Sequence, residues 1–591
     1  MPNPPKEHNV SHSEEPISAT PNEILSSTVT GASYLVSLQL VSRMLTFFLN
    51  QILLRFTTPT SLGIAYVQLE LLIATILFLT REGIRCALLR NEDQESENSS
   101  SEKLTDNQKN QLVLNLAYLP LPMGTIVAFL SYFYYQYTAD PVSLDFPYYR
   151  LCVALYGIAS VIELIFEPLY IIAQNKLLFK LRVSLEGFAV IARCVITLSL
   201  TVFGAYITNG GANSKENIFG ILSFAIAQLC YSSILLFGYL RYFLSHPFDP
   251  SLTETSLSNR VRQLLPRPII RTIHDHPTEQ YVDPDQAKLG LTLTKQSLLK
   301  HVLTEGDKIL TSWLSIPYDQ GIYAFVFNYG SLVPRILFQP VEETARLFFS
   351  RLLNGNEGSN SNSSSAILSA RVLAAMIKFH IVLGGFFIAF GSNYTHILID
   401  LLAGATWSHT PAPKVLAFYC IYVPIMGVNG IVESFVQAVA NTSEISRHNR
   451  AMIGFSVGFI TAGVVLMNVL GAGAVGLVLA NCFNLAMRIA WAWDFTYKFY
   501  RESYSQTYQE IQNILSLRNI LPSPSVCAVF VGSWLVTRLS KSQLGWSTML
   551  ERVQHISVGI ACLIVVVVMI YRTELPFLRL MNNLVRHKKL D

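Results

Sequence analysis

The feature that most constrains this sequence is a series of long apolar runs, separated by short polar stretches, from about Thr28 to about Tyr571. A helical run of about 20 apolar residues matches the hydrocarbon thickness of a bilayer. Only 14% of the residues are charged, against about 25% in a typical soluble protein. A chain with this pattern cannot bury its apolar surface in a soluble fold. The sequence therefore predicts a polytopic helical membrane protein.

Hydropathy divides the chain into about fourteen predicted transmembrane helices, which makes the predicted fold class all-α. The helices group into two six-helix bundles in a pseudo-twofold arrangement, followed by two C-terminal helices. The predicted divisions are a disordered cytosolic tail at 1–27, an N-terminal six-helix bundle at 28–245, a cytosolic linker at 246–288, a C-terminal six-helix bundle at 289–500, two additional transmembrane helices at 501–575 and a cytosolic tail at 576–591.

The Lys and Arg residues predict the orientation of the chain, because cytosolic loops of membrane proteins are enriched in them. With a cytosolic N-terminus and alternating sides, 28 of the 43 Lys and Arg residues fall in cytosolic segments and 6 in loops on the opposite side. We therefore expect both termini in the cytosol. The last four residues, Lys588-Lys589-Leu590-Asp591, have the form of a dilysine signal for retrieval to the endoplasmic reticulum. The alternative is an ordinary basic juxtamembrane tail.

Composition and motifs exclude several classes of protein. A net charge of +4 without a basic stripe excludes nucleic acid as a partner. The eight cysteines form no CxxC or ligand spacing, so we expect no metal and no disulfide framework. The chain lacks GxxxxGK[ST], HExxH and GxSxG, so we expect neither an enzyme nor a cofactor. The one DxD match, Asp283-Pro284-Asp285, falls in the predicted linker and is attributed to chance.

A faint internal repeat supports the division into two bundles. Gly63-Ile64 near the start of the second predicted helix matches Gly321-Ile322 near the start of the eighth, 258 positions later. The fourth helix contains Gly157–Glu163 (GIASVIE) and the tenth contains Gly427–Glu433 (GVNGIVE), 270 positions later. An even number of spans per unit makes the two halves parallel, related by an axis along the membrane normal. Two such bundles leave a cavity between them.

Ionisable residues inside a predicted helix are candidate functional residues, because each costs several kcal/mol unless it meets a partner or water. In the first half they are Arg43, Glu70, Glu163, Glu167, Glu186 and Arg193. In the second half they are Lys295, Lys300, Glu305, Asp307, Lys308, Arg335, Glu342, Glu343, Lys378, Glu433 and Arg488. The mixture of signs fits ion pairs between helices, and it also fits a hydrated cavity for a polar, anionic substrate.

The seventh and eighth predicted helices are the most informative. The segment Lys300–Lys308 is too polar to face lipid, so we expect it to line an interior surface. In the eighth helix, Pro340 predicts a kink, since proline removes a backbone donor. A polar stripe with spacings of 4, 3 and 4 lies on one face of this helix and consists of Arg335, Gln339, Glu342 and Arg346. The stripe is either a substrate contact or a set of ties between helices.

Five short stretches carry a family resemblance: Phe78–Glu82 (FLTRE), Leu303–Gly306 (LTEG), Gly330–Leu332 (GSL), Phe338–Glu343 (FQPVEE) and Ala480–Asn484 (ANCFN). They resemble the Rft family, the eukaryotic branch of the multidrug/oligosaccharidyl-lipid/polysaccharide exporter superfamily. The resemblance extends from about Thr28 to about Leu580. Two variable insertions, Asn91–Asn110 and Gly355–Ser365, look like those of a fungal member.

The resemblance implies a role in assembling the dolichol-linked oligosaccharide for protein N-glycosylation in the endoplasmic reticulum membrane. It implies movement of the five-mannose, two-GlcNAc dolichol diphosphate intermediate from the cytosolic to the lumenal leaflet, directly or as an essential helper. Membrane lipids are the other expected partners. Arginines suit the diphosphate because the guanidinium fork makes bidentate, charge-assisted hydrogen bonds. The expected substrate-binding residues are Arg55, Arg81, Glu305, Arg335, Gln339, Glu342 and Arg488.

Two other functions are compatible with the sequence. One is a cation-coupled exporter of small molecules, in which the intramembrane carboxylates of Glu70, Glu163 and Glu433 are the coupling sites. The other is a scaffold that assists the glycolipid pathway without transport. Accumulation of the five-mannose lipid on loss of the protein argues against the exporter, and reconstitution in liposomes separates transporter from scaffold.

The charge count generates a prediction about topology. Tags at either terminus are expected to be accessible from the cytosol, and a cysteine placed at Pro317 is expected to react with a membrane-impermeant reagent only from the lumenal side. Labelling of microsomes before and after permeabilisation measures this. Reaction of that cysteine from the cytosolic side alone would refute the alternation on which the charge count depends.

Overall fold

The computed structural model describes residues 44–90, 106–176, 178–207, 219–246, 257–273, 276–354, 361–545 and 548–579. The predicted tail at 1–27 lies outside these residues, as does most of the first predicted helix. The predicted retrieval signal at Lys588 and Lys589 also lies outside them.

The first half of the described chain is helical throughout its apolar runs. Proline stands in the first turn of several helices, where its missing N–H leaves no helical hydrogen bond unmade. The helices are α1 (Met44–Arg55), α2 (Pro59–Gly63, a π-helical turn at Ile64–Leu69 and Glu70–Arg90), α3 (Asp106–Ala117 and Pro120–Thr138), α4 (Tyr149–Asn175), α5 (Phe179–Ile207) and α6 (Leu222–Ser245).

The second half repeats this arrangement and adds a final pair. Its helices are α7 (Pro284–Leu314), α8 (Pro317–Gly330, a π-helical turn at Pro334–Phe338 and Gln339–Asn354), α9 (Ser361–Phe386, Phe387–Gly391 and Ser392–Ala403), α10 (Ala412–Val439), α11 (Thr442–Val464 and Val465–Val469), α12 (Gly473–Ser503), α13 (Pro524–Leu544) and α14 (Met549–Thr573). Short helices occupy Pro141–Leu144, Leu257–Arg262, Ala405–Ser408, Tyr508–Ile514 and Leu517–Ile520.

Among the described residues, ten helices are long and apolar enough to cross a membrane. The chain is therefore a multi-pass membrane protein, and the predicted all-α class is confirmed. The count of fourteen spans stays a prediction, because α1, α7, α8 and α13 do not meet the same length and hydropathy criteria. The exact division into domains also stays a prediction.

The predicted linker contains the strands of the described chain. β1 (Ile269–Ile273) and β2 (His276–Gln280) form an antiparallel hairpin in which Ile269 lies opposite Gln280. The Asn115 side chain, near the end of the first segment of α3, donates to the carbonyls of Arg267 and Tyr281, at 2.6 and 2.7 Å. These bonds fix the linker against the first half.

Apolar clusters lie within each half, another cluster spans the boundary between them, and the final helix pair packs on the second half. Phe386 of α9 meets Phe530 of α13 edge to face, with ring centroids 5.2 Å apart. The Asn393 amide donates to the Thr537 hydroxyl at 2.8 Å. α13 and α14 therefore extend the second bundle. The boundary between the halves is formed by other helices.

The two halves meet at the glycines that mark the sequence repeat. A Cβ atom on Gly63 would lie 2.0 Å from the Pro317 carbonyl oxygen, and one on Gly321 would lie 1.7 Å from the Pro59 carbonyl oxygen. These contacts are reciprocal, because Gly321 lies 258 positions after Gly63 and Pro317 lies 258 positions after Pro59. Equivalent residues touch in this way when they lie beside the axis that relates two halves. Only glycine permits this approach.

A second contact closes the opposite end of the boundary. A Cβ atom on Gly83 of α2 would lie 2.3 Å from the Thr294 backbone nitrogen of α7. Between the two ends, the Thr75 hydroxyl lies 3.0 Å from His301 Nε2. We call the side near Pro59 the Pro59 end and the side near Arg81 the Arg81 end. The charge distribution predicts that the Pro59 end faces the lumen.

The glycine contact generates a test of the fold. Gly321→Ala is expected to destabilise the protein by about 1–3 kcal/mol, because the new methyl group meets backbone that cannot move alone. The control is Gly157→Ala, where nothing lies within 4 Å of the added atom. Thermal unfolding of detergent-purified protein compares the two. Equal midpoints for both variants would contradict the close packing of α2 on α8.

Candidate functional site

A cavity of about 940 Å³ lies between the two halves. The first half contributes residues of α2, α3 and α4, and the second contributes residues of α7, α8, α10, α11 and α12. Most of the polar lining is uncharged. The polar lining residues are Gln68, Thr75, Ser131, Tyr134, Tyr135, Thr138, Asp140, Tyr149, His301, Ser312, Trp313, Ser315, Gln320, Tyr422, Ser456, Asn481, Asn484 and Arg488.

Arg488 lines this cavity and is held by a carboxylate. Its Nε donates to Glu433 Oε1 at 2.8 Å and its Nη2 donates to Glu433 Oε2 at 2.7 Å. His448 Nε2 lies 3.8 Å from Glu433 Oε1, and the His448 ring stacks on Trp491 with centroids 4.7 Å apart. Pairing through one edge of the guanidinium fixes its orientation and leaves Nη1 outside the pair.

The first half has a matching group of polar side chains at its core. Glu163 accepts hydrogen bonds from Gln228 and Ser232, each at 3.1 Å, and its other oxygen lies 3.3 Å from Arg81. Glu167, which is fully buried, makes a bidentate pair with Arg85 at 2.6 Å on both sides. Buried charges on α2 are thus neutralised by α4.

The two polar groups occupy equivalent positions of the repeat. Glu163 and Glu433 are 270 positions apart, and their partners Gln228 and Arg488 are 260 positions apart. The same helices of each half therefore place a carboxylate against a side chain of the last helix of that half. The charge differs, since a neutral amide of α6 corresponds to the guanidinium of α12. Among the described residues that line the cavity, the arginine therefore comes from the second half.

The remaining predicted carboxylates and cations are mostly paired. Glu70 pairs with Arg193, and Glu305 lies 2.8 Å from Lys308. Arg55 lies at the Pro59 end, where it donates to the carbonyls of Leu401 and Leu402 at the end of α9, at 2.8 and 3.2 Å. A carbonyl-capping arginine satisfies helix-end acceptors. All three carboxylates predicted for coupling have an arginine within ion-pair distance.

The predicted stripe on α8 lies apart from the cavity lining. Arg335 and Gln339 are exposed, and Gln339 donates to Glu343 at 3.3 Å. Glu342 lies against α10, because a Cβ atom on Gly430 would meet its carboxylate at 1.8 Å. A π-helical turn directly precedes Gln339, at the position where Pro340 predicts a kink. The roles predicted for these residues, and for the other site residues, stay predictions.

Sequence reasoning missed the uncharged lining residues because it searched for charge. Gln68, Trp313 and Asn484 carry no signal in a search for intramembrane charges. Three family stretches did point to the cavity, since Leu79 of FLTRE, Gly306 of LTEG and Asn481 of ANCFN all line it. His301, in the polar segment predicted to line an interior surface, does so. Among the described residues, no group of three metal-ligating side chains converges.

The family follows from a comparison with protein-family models. The model described as "Rft protein" matches residues 27–584 of this chain. The chain belongs to the Rft family. The match agrees closely with the extent predicted from the five stretches, and it includes both halves and the final helix pair of this Rft protein.

Relatives across eukaryotes share this length. A protein of Xenopus tropicalis named "Man(5)GlcNAc(2)-PP-dolichol translocation protein RFT1" is 33% identical over 92% of this chain and 94% of its own length. Proteins with the same name are 31% identical in Mus musculus, over 96% and 98%, and 32% identical in Saccharomyces cerevisiae, over 83% and 86%. The Rft protein is therefore similar to these relatives over nearly the whole of both chains.

Two solved structures share the fold of this Rft protein. One is the lipid II flippase MurJ in an inward closed conformation, with a TM-score of 0.52 over 91% of this chain and 99% of that one. The other is a multidrug resistance MATE family transporter in an inward-facing conformation, with a TM-score of 0.50 over 80% and 96%. Each is 12% identical to this chain, so the likeness concerns the fold alone. It confirms the predicted pair of bundles.

The buried pair at the cavity generates a prediction about stability. Glu433→Ala leaves the Arg488 cation without its carboxylate, so we expect a loss of about 3–5 kcal/mol. Asp494→Ala breaks the exposed pair between Asp494 and Lys498 of the same helix, at a cost below about 0.5 kcal/mol. Thermal unfolding and steady-state abundance measure both. If the two variants were equally stable, the Glu433 pair would not be a structural requirement of α12.

Proposed function

We propose that this Rft protein moves Man5GlcNAc2-PP-dolichol from the cytosolic to the lumenal leaflet of the endoplasmic reticulum membrane. It acts as a transporter and leaves the glycolipid covalently unchanged. The names of the relatives support the choice of substrate. The observation that carries the proposal is the cavity between the halves, which combines one arginine with many uncharged polar side chains.

Arg488 has the geometry to bind the diphosphate. It lies about halfway along α12, one of the helices long and apolar enough to cross the membrane. A guanidinium matches the spacing of phosphate oxygens and makes charge-assisted hydrogen bonds. Glu433 occupies Nε and Nη2, so Nη1 serves the substrate. Glu433 also lowers the cost of keeping this cation in the membrane when the cavity holds no anion.

Movement of the headgroup requires the two halves to separate at one end at a time. The Pro59 end is closed by Gly63 and Gly321, and the Arg81 end is closed by Gly83 and Thr294. Both closures are contacts between packed helices, which separate and re-form as rigid units. The polar headgroup then stays inside the cavity while the dolichol chain remains in lipid.

The proposed location is the endoplasmic reticulum membrane, with both termini in the cytosol. The distribution of Lys and Arg supports this orientation. In this arrangement the Lys588-Lys589 pair stands on the side where a dilysine signal is read. The lumenal side then contains the Pro59 end.

The alternative functions receive less support. In a cation-coupled exporter, Glu70, Glu163 and Glu433 would have to release their arginines before a cation entered. A scaffold has no need of a polar cavity at the centre of the membrane. The scaffold and the helper role both predict that purified protein does not transport the glycolipid.

The decisive experiment is transport by purified protein in liposomes that contain the defined glycolipid. Wild-type protein is expected to make the lumenal glycan accessible to an external probe faster than protein-free liposomes. Arg488→Gln is expected to slow this at least about tenfold, because the amide keeps one hydrogen bond to Glu433 and loses the charge-assisted phosphate contact. A glutamine already occupies the equivalent position of the first half, where the Gln228 side chain donates a hydrogen bond to Glu163.

Lys498→Gln is the control, since it removes an exposed cation from the same helix. The amount of protein incorporated into the liposomes is verified to be equal for the wild type and both variants. Transport by Arg488→Gln at the wild-type rate would refute the role of Arg488. Absence of transport by the wild type, with the protein folded, would favour the scaffold.

A further inference from the structure

The cavity has two chemically different ends. One end contains the Arg488 cation and the His301 ring, which lie about halfway along α12 and α7. Trp313 lies twelve residues beyond His301 on α7, which places it about 18 Å nearer the Pro59 end at a rise of about 1.5 Å per residue. Tyr134, near the C-terminal end of α3, lines the same outer part of the cavity. A ligand that bridges both ends must therefore be anionic at one end only.

The outer part of the cavity presents aromatic faces. Trp313 is 71% exposed and Tyr134 is 51% exposed, although both line the cavity. Large aromatic side chains that remain open in this way keep an apolar face and a polar edge available to a ligand. The two come from different halves, so a ligand held by both contacts α3 and α7 together.

The same region contains side chains whose hydrogen-bonding groups are available to a ligand. Within the described residues, no side-chain hydrogen bond is made by Ser131, Tyr134, Ser312, Trp313 or Asn484. By contrast, the carboxylate of Asp140 accepts from the Val142 N–H at 2.8 Å and serves a short helix. Asn484 lies four residues before Arg488 and so shares its face of α12. Uncharged donors and acceptors thus begin one turn from the cation and continue toward the Pro59 end.

Neutral sugar rings match this combination. A pyranose stacks its C–H face on an aromatic ring and directs its hydroxyls to the side, where serine, tyrosine and amide groups pair with them. A second phosphate would find no described cation in this region. An isoprenoid chain would leave the hydroxyls and the amide without hydrogen bonds, which is costly when they are desolvated.

We propose that the outer part of the cavity, formed by Ser131, Tyr134, Ser312, Trp313 and Asn484, is a carbohydrate subsite. It holds the sugars nearest to the diphosphate, with Trp313 and Tyr134 stacking on the rings. This rests on the proposed function for the position of the diphosphate. The glycan then extends from Arg488 toward the Pro59 end, and the subsite discriminates a glycosylated diphosphate from a bare one.

The test is binding of two soluble radiolabelled probes to purified full-length protein by equilibrium dialysis. The probes are N,N′-diacetylchitobiosyl diphosphate and inorganic pyrophosphate. Wild-type protein is expected to bind the sugar diphosphate more tightly than pyrophosphate. Trp313→Leu is expected to weaken binding of the sugar diphosphate about tenfold and to leave pyrophosphate unchanged. Trp313→Tyr, which keeps an aromatic face, is expected to retain most of the affinity.

Phe237→Leu is the matched control, because Phe237 is 69% exposed on α6 and does not line the cavity. Asn484→Ala is a second variant, expected to act in the same direction as Trp313→Leu. Equal binding of both probes by the wild type, or no effect of Trp313→Leu, would overturn the subsite. Those results would not affect the proposed role of Arg488. That role is tested separately: if Arg488→Gln bound pyrophosphate as tightly as the wild type, Arg488 would not bind the diphosphate. If Trp313 only anchors α7 at the membrane surface, Trp313→Leu does not change the affinity for either probe.

Discussion

The cost of placing a charge in the membrane governs the arrangement of polar side chains in this protein. Glu167 is fully buried and receives both nitrogens of one edge of Arg85. Glu433 does the same for Arg488, and the difference lies in what surrounds the pair. Arg85 faces helices of its own half, whereas Arg488 borders the cavity between the halves. The repeat equivalent of the Glu433–Arg488 pair is the neutral contact between Gln228 and Glu163, so the candidate phosphate contact comes from the second bundle.

The symmetry of the chain explains how a cavity forms at the centre. Gly63 and Gly321 bring α2 and α8 into backbone contact beside the axis that relates the halves. Gly83 brings α2 onto α7 at the other end. The cavity lies between these two points, and most of its polar lining side chains are uncharged. Such a site suits a headgroup in which one diphosphate is followed by neutral sugars.

Much of the fold was predictable from the sequence, because apolar runs report membrane helices directly and Gly63 and Gly321 marked a repeat whose members meet in space. The site was less predictable. Arg81 was a candidate for the substrate site and Glu70 for cation coupling, but a sequence does not reveal which intramembrane charges neutralise one another. Arg335 had the right spacing for a polar face and lies exposed on α8. Trp313 was missed because an uncharged residue in an apolar helix has no distinctive pattern, and Asn484 was singled out only as part of the ANCFN stretch.

In the proposed mechanism, the headgroup crosses between two halves that separate at the Pro59 end. Gln68 of α2 donates to Gln320 of α8 across that boundary at 3.1 Å. The most direct measurement replaces both with cysteine in a chain whose eight native cysteines are removed, and joins them with a short thiol-specific cross-linker. Glycolipid transport in liposomes is then compared before and after cross-linking, with each single cysteine as control. The account predicts that transport stops only in the cross-linked pair. Undiminished transport by fully cross-linked protein would contradict it.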